Sequence, residues 1–206
     1  GDSKAVEPLI EVLKHDKNGS VRLYAARALG ELGDSKATTH LIESLREDRN
    51  VDVRVRAARA LGRLGGEIVV EPLVEALNDE NPQVCITATD ALIEIGDVAT
   101  DALIASLDHE KVNVRCDATR ALGEIGNKKA VDKVINMLYD EWVNVRIYAV
   151  TSLGKLNDTK AVPALIDVMK NRNENELVRA GAAAALGVLR DQRALLPLRE
   201  LIMEAE

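Results

Sequence analysis

The chain has 206 residues, of which 30% are charged and 47% hydrophobic, and its formal net charge is -7. An acidic balance of this size opposes whole-surface attraction to nucleic acid or anionic lipid, and no apolar run approaches the roughly 18–20 residues of a membrane-spanning helix. Aromatics make up 2% and phenylalanine is absent, so the interior must be built from Ala, Leu, Ile and Val, small side chains that let helices approach closely.

Cys85 and Cys116 are the only cysteines. Two unclustered cysteines make neither a disulfide framework nor a zinc site, and both read as buried thiols of a reducing cytoplasm. No leader of charged then apolar residues is visible, so the expected compartment is cytoplasmic.

The first strong pattern along the chain is VRLYAARALGELGD, Val21 to Asp34. It returns at Val53, Val84, Val114, Val145 and Val178, in steps of 32, 31, 30, 31 and 33 residues. A period in this range marks a stacked array of helical units rather than one globular core. Ahead of each copy runs a second apolar pattern, first Ala5, Leu9, Ile10, Leu13, whose i, i+4, i+5, i+8 spacing is one stripe of a helix. It recurs at Ala37, Val69, Ala99, Ala130 and Ala161, so each repeat is a helix pair, A then B.

Pro8, Pro72 and Pro197 share one place in helix A. Proline is tolerated in a first turn and breaks an interior, so the regular helix is expected to begin about there, after a short turn. Three residues before the key valine stands Asn18, Asn50, Asn81 or Asn175, a side chain suited to accept from the free N–H groups of the first turn of helix B. Lys111 and Trp142 hold that place in repeats four and five, where the helix start is expected to differ. Gly33, Gly65, Gly96, Gly126 and Asn157 close helix B with residue types that adopt the left-handed conformation, a rule from which Arg190 departs. Gly30, Gly62, Gly123, Gly154 and Gly187 occupy one place inside helix B. Glycine there costs about 1 kcal/mol relative to alanine, so a contact too close for a Cβ is expected. Repeat three has Ile93 instead, which predicts a local change in helix spacing.

These residues carry a family resemblance. The stretch GDSKAVEPLIEVLKHDKNGSVRLYAARALGELGD resembles the HEAT-like repeat of the phycobilisome-lyase type, G-D-x-x-A-v-x-P-L-i-x-x-L followed by d-x-x-V-R-x-x-A-x-x-A-L-G-x-[LI]-G. The likeness runs from end to end and implies an all-α, right-handed α–α superhelix: a HEAT-like solenoid of six helix pairs and a final single helix. As one domain, 1–206, it divides into repeats of about 1–32, 33–64, 65–95, 96–125, 126–156 and 157–189, with a half repeat at 190–206. The resemblance further implies that B helices line an inner, concave surface. Arg22, Arg54, Arg115, Arg146 and Arg179 match its V-R position, with Cys85 interrupting the row. They read as structural, pairing with loop carboxylates or carbonyls of neighbouring repeats.

Removing the buried stripe from helix B leaves places three, six and ten residues past the key valine, which share one side. They read Tyr24, Arg27, Glu31; Arg56, Arg59, Arg63; Thr87, Asp90, Glu94; Asp117, Arg120, Glu124; Tyr148, Thr151, Lys155; and Gly181, Ala184, Val188. Arg27, Arg56, Arg59 and Arg63 form a basic band, and Asp90, Glu94, Asp117 and Glu124 an acidic one beside it. Such banding favours a partner of opposite pattern, and a solvated, salt-bridged surface is the competing reading. Tyr24, Tyr148, Tyr139 and Trp142 are of the types that anchor interfaces, while Trp142 reads equally well as packed over helix ends. The first repeat keeps Leu9, Ile10, Leu23 and Ala26 apolar where a terminal repeat usually turns polar. Either the natural chain continues upstream or this end self-associates. Arg199, in the place of Ile10, suits a last helix with nothing over it.

Enzymatic readings find little in the residues. The His-Glu pairs of a HEAT-like di-iron hydroxylase are replaced by Leu23, Tyr24 and their equivalents, and His15, His40 and His109 are too dispersed for a shared metal. A HEAT-like DNA glycosylase needs a basic surface that this grid does not offer. No nucleophile is paired by spacing with a base. The expected function is therefore a non-enzymatic scaffold that binds a protein or peptide on its B helices, without cofactor, metal, nucleic acid or membrane. The alternative is a bilin-lyase-type subunit acting on a chromophore or its acceptor protein, which fold alone does not decide.

Overall fold

The computed structural model describes residues 3–203, and all its regular structure is helical. Gly1, Asp2 and the last three residues of the half repeat lie outside the described residues. The chain forms two compact units, Gly1–Ala102 and Leu103–Glu206.

In the first unit three helix pairs follow one another: α1 (Val6–His15) with α2 (Gly19–Leu32), α3 (Thr38–Glu47) with α4 (Val51–Leu64), and α5 (Val70–Ala76) with α6 (Pro82–Ile95). The second unit contains α8 (Val112–Ile125), α9 (Val131–Asn136), α10 (Val143–Leu156), α11 (Val162–Lys170), α12 (Glu176–Leu189) and α13 (Leu195–Met203), while α7 (Thr100–Ser106) contains the division. Every B helix has 14 residues and begins two residues before its valine. Asn18, Asn50, Asn81 and Asn175 cap four of them through bonds of 2.8–2.9 Å to the amide two residues on. Lys111 and Trp142 supply no side-chain cap, yet α8 and α10 keep the same register, so the expected difference reduces to a missing bond.

Helix A is preceded by a 3-10 turn in every repeat, for example Ser35–Ala37. Asp34, Asn127, Asp158 and Asp191 cap these turns, each accepting from the amide two residues on. The α-helix proper starts two residues before the proline place, so Pro8, Pro72 and Pro197 sit third in their helices, where the missing N–H has no helical acceptor anyway.

Within each unit the stripes meet as an aliphatic core. Leu29, Leu61, Leu92, Leu122 and Leu153 are fully buried, each stabilising by about 1.5–3 kcal/mol over the exposed state. Val53, Val84, Val114, Val145 and Val178 are at most 2% exposed, whereas Val21 in the first repeat is 39% exposed. The interior glycine is a packing device at three of its five places. A Cβ on Gly30 would lie 2.7 Å from the Ala60 Cβ, one on Gly62 would lie 2.8 Å from that of Ala91, and one on Gly123 only 2.7 Å from the Cα of Ser152. At Gly154 the nearest atoms, of Ala185, are 3.5 Å away, and at Gly187 nothing lies within 4 Å, so the expected tight contact fails there. Arg190 departs in residue type but not in geometry: with φ 51° it takes the left-handed cap that Gly33, Gly126 and Asn157 hold, whereas Gly65 and Gly96 share only the positive φ.

Candidate partner-binding face on the B helices

The arginines of the V-R place point into the loops. Arg22 donates Nε and Nη2 to the two carboxylate oxygens of Asp48, both at 2.7 Å, and Nη1 to the Asp16 carbonyl at 2.8 Å. Arg54 repeats this with Asp79 and the Asp48 carbonyl, and Arg115 with Asp140 and the His109 carbonyl. Arg146 binds Glu174 and the Asp140 carbonyl. Each guanidinium ties the loop of its own repeat to a carboxylate in the next. Arg22, Arg54 and Arg115 do so in the bidentate geometry that suits arginine, whereas Arg146 makes one bond to Glu174 through Nη2 and its buried Nε has no partner among the described residues. Cys85 keeps part of the pattern, its Sγ donating to the Asp79 carbonyl, and Arg179 donates Nε to the Met169 carbonyl. Burial pushes the Asp48 carboxyl upward, but the hydrogen bonds from Arg22 and the Asn50 amide, with the Arg22 charge, outweigh it and hold the group below its usual range. The same balance depresses Asp140 through Arg115 and Glu174 through Arg146.

The variable places behave differently. In the first unit, Tyr24 is 65% exposed, Arg27, Glu31, Arg59 and Arg63 are exposed, and Arg56 is half-buried. Thr87 is buried and donates its hydroxyl to the Gln83 carbonyl, which closes that place of the expected surface; Asp90 and Glu94 on α6 are exposed. Arg27, Glu31, Arg56, Arg59, Ala60 and Arg63 line a recess of about 290 Å³ between α2 and α4. Within it Arg27 donates Nε to Glu31 at 2.8 Å. That bond, with the Arg27 and Arg63 charges, lowers the Glu31 pKa. Arg56, Arg59 and Arg63 make no hydrogen bond or ion pair among the described residues. Sequence reasoning placed Glu31 on this face without giving it a role; the i, i+4 spacing from Arg27 is the signal for the pair.

In the second unit the expected contacts are partly occupied by one another. Lys155 pairs with Glu124, and Asp117 and Arg120 also have interactions within the protein. Tyr148 is 39% exposed on α10. Tyr139 and Trp142, at 64% and 53%, stand at the loop before that helix, so Trp142 is not packed away. All four aromatic side chains of the chain are thus exposed, the reverse of their usual burial.

The remaining chemistry is quiet. Burial and the charges of Asp117 and Asp140 push the half-buried Cys116 thiol up to about 11, which keeps it protonated and unreactive near neutrality. Cys85 is buried as expected. A second recess, about 400 Å³ at the loop end of the first unit, is lined by Arg22 and Asp48, which are spent on each other. Among the described residues no group of three or more His, Cys, Asp or Glu is placed to hold a metal, and no helix is long and apolar enough to cross a membrane.

Comparison with known proteins agrees with the repeat pattern. No curated protein matches significantly. Among solved structures, the complex of CpcE and CpcF of phycocyanin lyase from Nostoc sp. PCC7120 is 25% identical with a TM-score of 0.54, covering 93% of this chain and 79% of that one. A chain from a structure of microtubule plus end tracking by XMAP215, CLIP-170 and EB1 has a TM-score of 0.67 at 17% identity, covering 90% and 92%. A computationally designed armadillo repeat protein for modular peptide recognition has a TM-score of 0.51 at 19% identity, covering 90% and 100%. The last two speak to fold alone. The family model described as HEAT repeats matches residues 1–50, 38–111, 70–144, 100–172 and 131–206, so the chain belongs to the HEAT repeat family.

Proposed function

We propose that the chain is a non-enzymatic scaffold that binds another protein or a peptide on its B-helix face, with Tyr24, Arg27, Arg56, Arg59 and Arg63 as the leading contacts and Tyr148 contributing in the second unit. One observation carries this reading: the arginines of the V-R place are all bonded inside the fold, while Arg56, Arg59 and Arg63 on α4 are bonded to nothing among the described residues. Unpaired arginine beside exposed tyrosine is the composition of an interface anchor. The A helices are by contrast tied across repeats by exposed ion pairs such as Arg46–Glu75 and Lys170–Glu200. The triple variant Arg56→Glu, Arg59→Glu, Arg63→Glu, folded by circular dichroism, should lose partner capture in an affinity pull-down; undiminished capture would overturn the reading.

The likeness to the phycocyanin lyase complex favours a second reading, a lyase-type subunit that handles a bilin or its acceptor protein. Adding a bilin should then shift its absorbance, and an unchanged spectrum removes this reading. The exposed Val21 supports self-association through the first repeat, which a light-scattering mass equal to one chain would exclude.

A further inference from the structure

The recess between α2 and α4 has the chemistry of a carboxylate site that already holds one carboxylate of its own. Glu31 sits at one side, bonded to Arg27 and within the field of Arg63. Arg56, Arg59 and Arg63 follow one another along α4 with no counter-charge bonded to them among the described residues. The recess has a volume of about 290 Å³ and is floored by the buried Ala60, below the usual size of a small-molecule pocket. It accommodates side chains projecting from a larger ligand rather than a whole cofactor.

On this basis, and resting on the scaffold reading above, we infer that the recess binds an extended acidic segment of a protein partner, and that Glu31 is a built-in competitor for it. Three features select this occupant. Arg59 and Arg63 are four residues apart, about 6 Å along the helix. Alternate residues of an extended chain project to one side about 6.6 Å apart, so two carboxylates at alternate positions reach the two guanidinium groups. The basic strip is also only one helix wide. Glu31 borders it on α2, and Asp90 and Glu94 are exposed on α6, the neighbour of α4; the Glu94 carboxylate comes within 3.4 Å of the Cβ position of Gly62 on α4. A continuous phosphate backbone crossing the strip meets these acids, whereas a short acidic segment running along α4 does not. Glu31, finally, demonstrates the recognition itself, since a carboxylate in this recess takes a 2.8 Å bond from arginine.

Competition sets the sign of the test. Removing the Glu31 charge frees Arg27 and relieves repulsion of the incoming carboxylate, so affinity rises when an acidic side chain is deleted. The probe is a fluorescein-labelled synthetic peptide of alternating Gly and Glu with three Glu, titrated by fluorescence anisotropy at fixed low salt. Glu31→Gln should tighten binding by about threefold to tenfold, the scale of one charge-assisted interaction at an exposed site. Glu43→Gln, which removes an exposed charge on α3, should leave binding unchanged and so separates local competition from net charge. Arg59→Gln with Arg63→Gln should weaken binding more than tenfold. Equal or weaker binding by Glu31→Gln overturns the competitor assignment, and tighter binding of a single-stranded oligonucleotide than of the peptide overturns the acidic-segment assignment. If partner capture needs the α4 arginines but the peptide does not bind, this inference fails while the scaffold reading stands. If capture is indifferent to those arginines, the scaffold reading itself fails.

Discussion

Replacing Gly62 by alanine should destabilise the protein, while the same replacement at the equivalent Gly154 should stabilise it. Both glycines lie inside a B helix, where alanine is favoured by about 1 kcal/mol. At Gly62 the new methyl carbon would stand 2.8 Å from the Ala91 Cβ and 2.9 Å from its Cα. Restoring an ordinary carbon–carbon separation of 3.5–4.0 Å requires α4 and α6 to move apart by close to 1 Å. The obstacle is backbone and cannot rotate away, so the cost belongs at the upper part of the roughly 1–3 kcal/mol range for overpacking. After the helix gain, a net loss of about 1–2 kcal/mol remains. At Gly154 the nearest atoms lie at 3.5 Å, an ordinary contact, and most of the helix gain survives. Thermal unfolding followed by circular dichroism reads the difference, because 1 kcal/mol moves Tm by about 2–4 °C in a protein of this size. Gly62→Ala should lower Tm by several degrees and Gly154→Ala raise it by about 2 °C. A rise for both would refute the argument that close helix approach, rather than propensity, keeps glycine at Gly62.

Three further predictions follow from the loops and caps. Asp48→Ala strands the Arg22 guanidinium, only 8% exposed as a side chain, and should cost about 2–3 kcal/mol. Asp132→Ala, whose pair with Lys160 is 60–66% exposed, should cost less than about 1 kcal/mol. Denaturant midpoints compare the two. The depressed carboxyl pKa values of Asp48, Asp140 and Glu174 mean that the unfolded chain takes up protons first as pH falls. Their contribution is complete above the ordinary carboxylate range near pH 4 and is lost as pH drops through the lower folded values, so Tm should fall steeply below about pH 4 and less steeply in Asp48→Ala. Arg190→Gly relieves a non-glycine residue at φ 51° and should raise stability by about 0.5–1 kcal/mol, read as a higher denaturant midpoint.

What was legible in the residues was the register. The recurring valine, alanine and leucine places marked six B helices in register, although repeat three lacks both the V-R arginine and the interior glycine. Asn caps and Gly C-caps marked most of their ends, because each is a local rule that acts within one turn. The length of helix A was less legible. α5 and α7 have seven residues, and α9 has six before a 3-10 turn at Met137–Tyr139, although their apolar stripes match those of longer α1 and α3. Pairing across repeats was legible only where a motif marks it. The V-R arginines read as bonded to loop groups of neighbouring repeats, and Arg22, Arg54, Arg115 and Arg146 are, whereas no motif marks how the exposed charges pair. Whether Arg120 or Lys155 faces Glu124, or whether Thr87 is covered, depends on neighbours about 30 residues away. The residue pattern already singles out the arginine band and the tyrosines of the grid as contacts, and packing adds that Lys155 is bonded while Arg59 is not. Gly154 and Gly187 show the converse: the residue type repeats where the contact that would require it does not.

The central claim is that ligand is read at the variable places of the B helices. Nuclear magnetic resonance mapping of arginine Nε–Hε and backbone amide signals during titration with the alternating Gly–Glu peptide tests it most directly. The account predicts that the side-chain signals of Arg56, Arg59 and Arg63 and amides of α2 and α4 shift in a saturable way, while Arg22 and Arg54, held in the loops, stay in place. Shifts confined to the A helices around His40, Glu43 and Glu75, with the α4 arginines unmoved, would contradict it.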